Sequence, residues 1–72
     1  MNTVYAVKSL TDARVETYGP DIIALFSTKE KALNFILGPR NDYILDPATN
    51  RYYKHFGSMA TDWLWIEEQI VL

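Results

Sequence analysis

Cysteine is absent from this chain, and histidine occurs once, at His55. No disulfide can form, and a metal site of the usual His and Cys composition has almost nothing to be built from. For a chain of 72 residues this matters, because a domain of that size buries only about 60% of the surface its unfolded chain exposes and is marginal without a supplement. Association with another chain is the supplement left.

Other absences narrow the function. A cysteine nucleophile is excluded, and no serine sits in the Gly-x-Ser-x-Gly setting of a nucleophile elbow. Gly19, Gly38 and Gly57 are isolated, so there is no glycine-rich phosphate cradle, and no cofactor is expected. Glu67 and Glu68 are adjacent; on a strand they point to opposite faces and cannot share a cleft as an acid–base pair, so their expected part is to keep a strand end charged and soluble. His55 has no second histidine at metal-ligand spacing and reads as a surface or edge residue. The chain is expected not to be an enzyme.

No apolar run approaches the roughly 18 residues that span a bilayer. Met1-Asn2-Thr3-Val4-Tyr5 has no basic stretch leading into an apolar core, so it does not read as a secretory signal. With cysteine absent as well, a cytoplasmic setting is the expectation. Clustered positive charge is missing too: net charge is −2, the sequence pI is about 5.1, and no four basic residues are consecutive. Binding to phosphate backbones is disfavoured. All basic residues lie between Lys8 and Lys54, and beyond His55 only Asp62, Glu67 and Glu68 are charged.

What the chain does have is apolar and aromatic side chains, 49% and 14% of residues, too many for a disordered segment. They predict one α+β domain over 1–72, a single short helix packed on one face of a four- to five-stranded, mainly antiparallel sheet. Val4, Tyr5 and Val7 predict a first strand over 3–10, broken by Thr11-Asp12-Ala13. Residues 14–18 can extend a hairpin until Gly19-Pro20 interrupts it. The continuously apolar run Asp21-Ile22-Ile23-Ala24-Leu25-Phe26 predicts a strand buried in the middle of the sheet.

Ser27-Thr28-Lys29-Glu30 fits a capping box, with Ser27 as cap and Glu30 reaching back to it. Ala32, Leu33, Phe35, Ile36 and Leu37 recur at helical spacing and should face the sheet, while Lys29, Lys31 and Asn34 face water. Gly38-Pro39 must end the helix after about ten residues. Asp42–Leu45, the turn Asp46-Pro47-Ala48-Thr49-Asn50 and Arg51–Phe56 predict a hairpin. After a loop over 57–61 comes the closing strand. There Leu64, Ile66, Ile70 and Leu72 are assigned to the core side under the helix, and Trp63 and Trp65 to the opposite face.

A sheet of four or five strands is about 19–24 Å wide, and one helix covers about 10–12 Å of it. Aromatic surface is left over. Trp63 and Trp65, with some of Tyr43, Tyr52 and Tyr53, are expected on the uncovered face, interleaved with Arg51 and Lys54. Tyrosine, tryptophan and arginine are the types enriched at binding hot spots, so these seven residues form the predicted partner site.

The layout also resembles a class of small phage and prophage proteins. The likeness rests on the opening Val4-Tyr5-Ala6-Val7, the segment Phe26-Ser27-Thr28-Lys29-Glu30-Lys31-Ala32 and the closing Trp65-Ile66-Glu67-Glu68. It implies a phage-encoded accessory protein of the host cytoplasm, an inhibitor that occludes a host or anti-phage defence protein. The expected function is therefore a non-enzymatic protein-binding domain, bound to a partner or to itself as a dimer. Two rivals stay open. One is single-stranded nucleic-acid binding, with bases stacked on Tyr52, Tyr53, Trp63 and Trp65 and the backbone tracked by Arg51 and Lys54. The other is an oligomer that sequesters a small molecule at its interface.

Overall fold

The structure, a computed structural model, describes residues 2–13, 16–39 and 42–71. It is an α+β fold, a five-stranded antiparallel sheet with one short helix. In chain order come β1 (Asn2–Ala13), β2 (Thr17–Phe26), α1 (Lys29–Ile36), β3 (Ile44–Asp46), β4 (Arg51–Phe56) and β5 (Ala60–Val71). Their order across the sheet is β2-β1-β5-β4-β3. The long strands β1 and β5 pair without a slip from Asn2↔Val71 to Ala13↔Ala60, and form the spine.

Register sorts the side chains onto two faces, because neighbours along a strand alternate and cross-strand partners share a side. Val7 lies opposite Ile66 and Ser9 opposite Leu64 on β5, while Tyr52 lies opposite Leu64 on β4. On this core face Val7 and Leu64 join Ala32 and Ile36 of α1 in a buried cluster, with Tyr5, Ala24, Phe26, Tyr43, Tyr52 and Ile66 packed around it. Ile36 is the largest fully buried side chain, at 0% exposure. The core is small, and the helix contributes half of its fully buried cluster.

Several sequence expectations need correction. Thr11-Asp12-Ala13 does not break β1, because Thr11, Asp12 and Ala13 all pair with β5. Arg14 and Val15 of the expected hairpin lie outside the described residues. Gly19-Pro20 does not stop the next strand either: β2 runs through it, with a cis peptide bond there. Gly19 makes this possible. Its φ is +104°, and a Cβ there would stand 2.6 Å from the Ser9 carbonyl oxygen, so only glycine fits where β2 bulges past Ser9 and Leu10.

The largest correction concerns position in the sheet. Asp21–Phe26 is not a central strand but part of the β2 edge, paired to β1 alone. A continuous apolar run marks burial only if something covers both faces. Here Ile22, Ile23 and Leu25 stay 49%, 49% and 59% exposed.

At the helix start the cap is Thr28 rather than Ser27. The Thr28 side chain, on extended backbone, accepts from the Lys31 amide at 3.2 Å, and the Ser27 hydroxyl instead meets Lys31 Nζ at 3.3 Å. Both residues can cap, and the chain bends at 27–28, which leaves Thr28 in the position that reaches the third amide. The helix is eight residues long, and Leu37 closes it through its N–H to the Leu33 carbonyl at 2.8 Å. Ala32 and Ile36 are buried, but Phe35 and Leu37 remain 41% and 52% exposed. A helix of about two turns offers too narrow a stripe to bury five apolar residues.

Asp46 organises the β3–β4 turn by accepting from the Ala48 amide and the Thr49 hydroxyl, and Asn50 takes the left-handed φ of +57°. The third strand begins at Ile44, later than expected.

Candidate functional site

The predicted site residues do not share one face. Tyr53 pairs with Trp63, and the alternation along β4 and β5 puts Arg51 and Trp65 on the same side, the face away from the buried cluster. There the Arg51 guanidinium carbon lies 4.2 Å from the centre of the Trp65 ring. The Tyr53 ring is tilted against Trp63 at 5.5 Å and against His55 at 5.2 Å. Such tilted contacts at 4.5–7 Å are the favoured geometry of aromatic pairs, and a guanidinium over indole adds a cation–π attraction. These contacts hold four of the seven residues as a ladder of two pairs, Arg51 with Trp65 and Tyr53 with Trp63.

The surroundings of that ladder are mixed. Lys8 Nζ and Glu67 Oε2 form an ion pair at 2.6 Å, which gives that oxygen its partner. A shallow groove of about 370 Å³ is lined by Asp12, Asp46, Tyr53, His55, Thr61 and Trp63. His55 Nδ1 and the Thr61 hydroxyl are 2.9 Å apart. Pairing of Ala6 with Leu25, Lys8 with Ile22 and Tyr53 with Ile44 carries three more apolar side chains onto this face. Leu25, Ile22 and Ile44 are all about half exposed.

Tyr52, Lys54 and Tyr43 lie elsewhere. Tyr52 and Lys54 pair with Leu64 and Asp62 on the core face, and Tyr43 packs on the buried cluster. One-residue alternation is the reason: adjacent residues of β4 cannot all point one way. Tyr43 and Lys54 instead belong to a polar cluster centred on Asp62. The hydroxyls of Ser9 and Thr11 donate to Asp62 Oδ1 at 3.1 Å each, and the Tyr43 hydroxyl donates to Oδ2 at 2.5 Å. Lys54 Nζ lies 5.9 Å from the Tyr43 ring centre and 5.5 Å from that of Phe56. The sequence signal for this cluster was only the alternating Ser9 and Thr11, which no local pattern links to Asp62.

Ile70 was assigned to the core, but it is 62% exposed. It shares the core side with Leu64 but is not among the side chains packed on the buried cluster. Leu72 is outside the described residues. Ile66 does pack on the buried cluster. Among the described residues no group of His, Cys, Asp and Glu is arranged to hold a metal ion, and no helix is long and apolar enough to cross a membrane.

With this geometry in place, comparison with known proteins adds nothing to it. No family model, curated protein or solved structure matches the chain.

The Asp62 cluster makes two predictions. Asp62→Ala leaves three hydroxyls without their acceptor and should lower unfolding free energy by about 1–3 kcal/mol, read from chemical denaturation. Burial first, then the hydrogen bond and the negative charge of Asp62, push the Tyr43 phenol well above its ordinary value of 10.0. The folded state therefore retains a proton that the unfolded state releases near pH 10, and stability that is fully present below that pH declines as pH rises above it. Tyr43→Phe should remove this part of the alkaline loss of stability, seen as a flatter unfolding midpoint against pH.

Proposed function

We propose that this chain is a small non-enzymatic protein-binding domain that meets its partner through the face bearing Arg51, Tyr53, Trp63 and Trp65. In this reading α1 covers one side of the sheet only. One observation carries it: on the face away from the buried cluster, Trp63 is held against Tyr53 and Trp65 against Arg51. Rigid aromatic groups lose little entropy on binding, and an apolar border with a polar groove is the make-up of an interface centre and rim. Tyr43, Tyr52 and Lys54 leave the proposed site, since their work is on the core face.

The split of the basic residues favours a protein over nucleic acid. Arg51 and Lys54 would both have to follow a phosphate backbone, but they lie on opposite faces. Lys8 is paired to Glu67, and Asp12 and Asp46 line the groove. Titrating the tryptophan emission with single-stranded oligonucleotides at low salt should give no salt-sensitive quenching. Quenching that salt reverses would transfer this face to nucleic acid. The likeness to small phage proteins supplies the narrower version of the proposal: the partner is a host or defence protein of the cytoplasm, inhibited by occlusion. Recovery of a partner by the wild-type chain, lost in Trp63→Ala/Trp65→Ala, tests the reading.

A further inference from the structure

We infer that the β2 edge is a self-association site, through which two copies of this chain pair antiparallel over Asp21–Phe26. The sheet has two edges, and they differ. β3, three residues long, is too short to template a further strand, which is a common way of protecting an edge. β2 is ten residues long and, among the described residues, paired on one side only. Its other side presents a row of backbone donors and acceptors, and another strand is the partner that fits them. Pro20 lacks an N–H and ends any new ladder on that side, so Asp21–Phe26 is the segment left to pair.

The side chains fit a second copy. From Ile22 to Phe26 there is no charged residue of the kind that guards single edges; the β-bulge at Ile23, where the register with β1 shifts between Val7 and Lys8, interrupts the edge and is the one guard it carries besides Pro20. Asp21 closes one end of the segment, and Lys29-Glu30-Lys31, with a net charge of +1, follows the other. Antiparallel pairing of two identical segments brings the acidic end of each to the basic end of the other. Parallel pairing would set like charges together. The two-fold arrangement is also self-closing, so it stops at a dimer and does not grow into a fibre. Ile22, Ile23 and Leu25 are about half exposed along this edge, and Phe35, 41% exposed, lies beside it with its ring 5.4 Å from that of Phe26. All four gain cover on pairing. A buried cluster of four residues, in a chain without cysteine, gives the dimer a role in stability as well.

The test is solution mass by light scattering over a range of concentrations, for the wild type, Ile23→Lys and Leu25→Lys. Both substitutions are at exposed positions, so circular dichroism should be unchanged. The expected wild-type mass is twice 8.3 kDa, falling on dilution, with a melting temperature that rises with protein concentration; the two lysine variants should be monomers. A wild type that is monomeric at every concentration overturns the inference. So does a dimer that survives both lysine substitutions, or one broken only by Trp63→Ala/Trp65→Ala, which would place self-association on the aromatic face. If a lysine variant fails to fold, amide hydrogen exchange of the wild type decides. Protection over 22–26 should rise with concentration, and protection independent of concentration would reject the edge. Ile23→Lys should leave partner recovery through the aromatic face unchanged, because the tryptophans and Arg51 lie on β5 and β4 and not on β2; Leu25 borders that face, so Leu25→Lys is read by solution mass alone.

Discussion

Ile36→Ala should lower unfolding free energy by about 2–5 kcal/mol, the cost of losing buried aliphatic atoms and leaving a cavity. A domain of this length has roughly 4–11 kcal/mol in all, so the variant would lie near the edge of folding. The reason for so large an effect is the size of the core. Val7, Ala32, Ile36 and Leu64 make up the buried cluster, and the apolar side chains packed around it are only partly buried, so Ile36 is one of the few groups fully removed from water. Urea denaturation should show a large fall in midpoint with little change in slope. Leu25→Ala, by contrast, should change stability by about 0.5 kcal/mol or less at low protein concentration, since its side chain is 59% exposed. Equal effects of the two substitutions would mean that α1 does not hold the sheet as described.

Trp63→Ala/Trp65→Ala should weaken partner binding by at least about 30-fold for each tryptophan that acts as a hot spot, which corresponds to about 2 kcal/mol. Its structural cost should be smaller. Both rings are half-buried and lean on Tyr53 and Arg51 rather than on the buried cluster, so the double variant should fold with the same circular dichroism. Arg51→Ala should act in the same direction, because it removes the group that orients Trp65. Phe56→Ala is the control. Phe56 is 51% exposed on the other side of the sheet, where Tyr52 and Lys54 also point, and its loss should leave binding unchanged. If binding follows Phe56 and not the tryptophans, the aromatic ladder is a packing feature only.

Particular residues show how far the chain could be read. The alternation in β5 placed Trp63 and Trp65 opposite Leu64, because period-two patterning is a direct consequence of strand geometry. The Asp46–Asn50 turn was readable for a similar reason: a proline that presets φ and an asparagine that can take the left-handed conformation are local chemistry, and Asn50 does so at φ +57°. Edges were not readable. Asp21–Phe26 has the composition of a central strand, and its place at the rim follows from which strands pair over long separations, information no window of the sequence contains. The same limit applies to Tyr43. Its partner Asp62 is 19 residues away, and only the assembled sheet brings the two together. At β4 the limit is of another kind: Arg51, Tyr52, Tyr53 and Lys54 are consecutive, so strand alternation divides them two and two between the faces.

Side-chain footprinting by hydroxyl radicals, on the free chain and on its complex with the recovered partner, tests the proposed binding face most directly. The expected result is protection of Tyr53, Trp63 and Trp65 on binding, with Phe56 and Ile70 labelled to the same extent in both states. Protection of Phe56 and Ile70 with the tryptophans unchanged would contradict it.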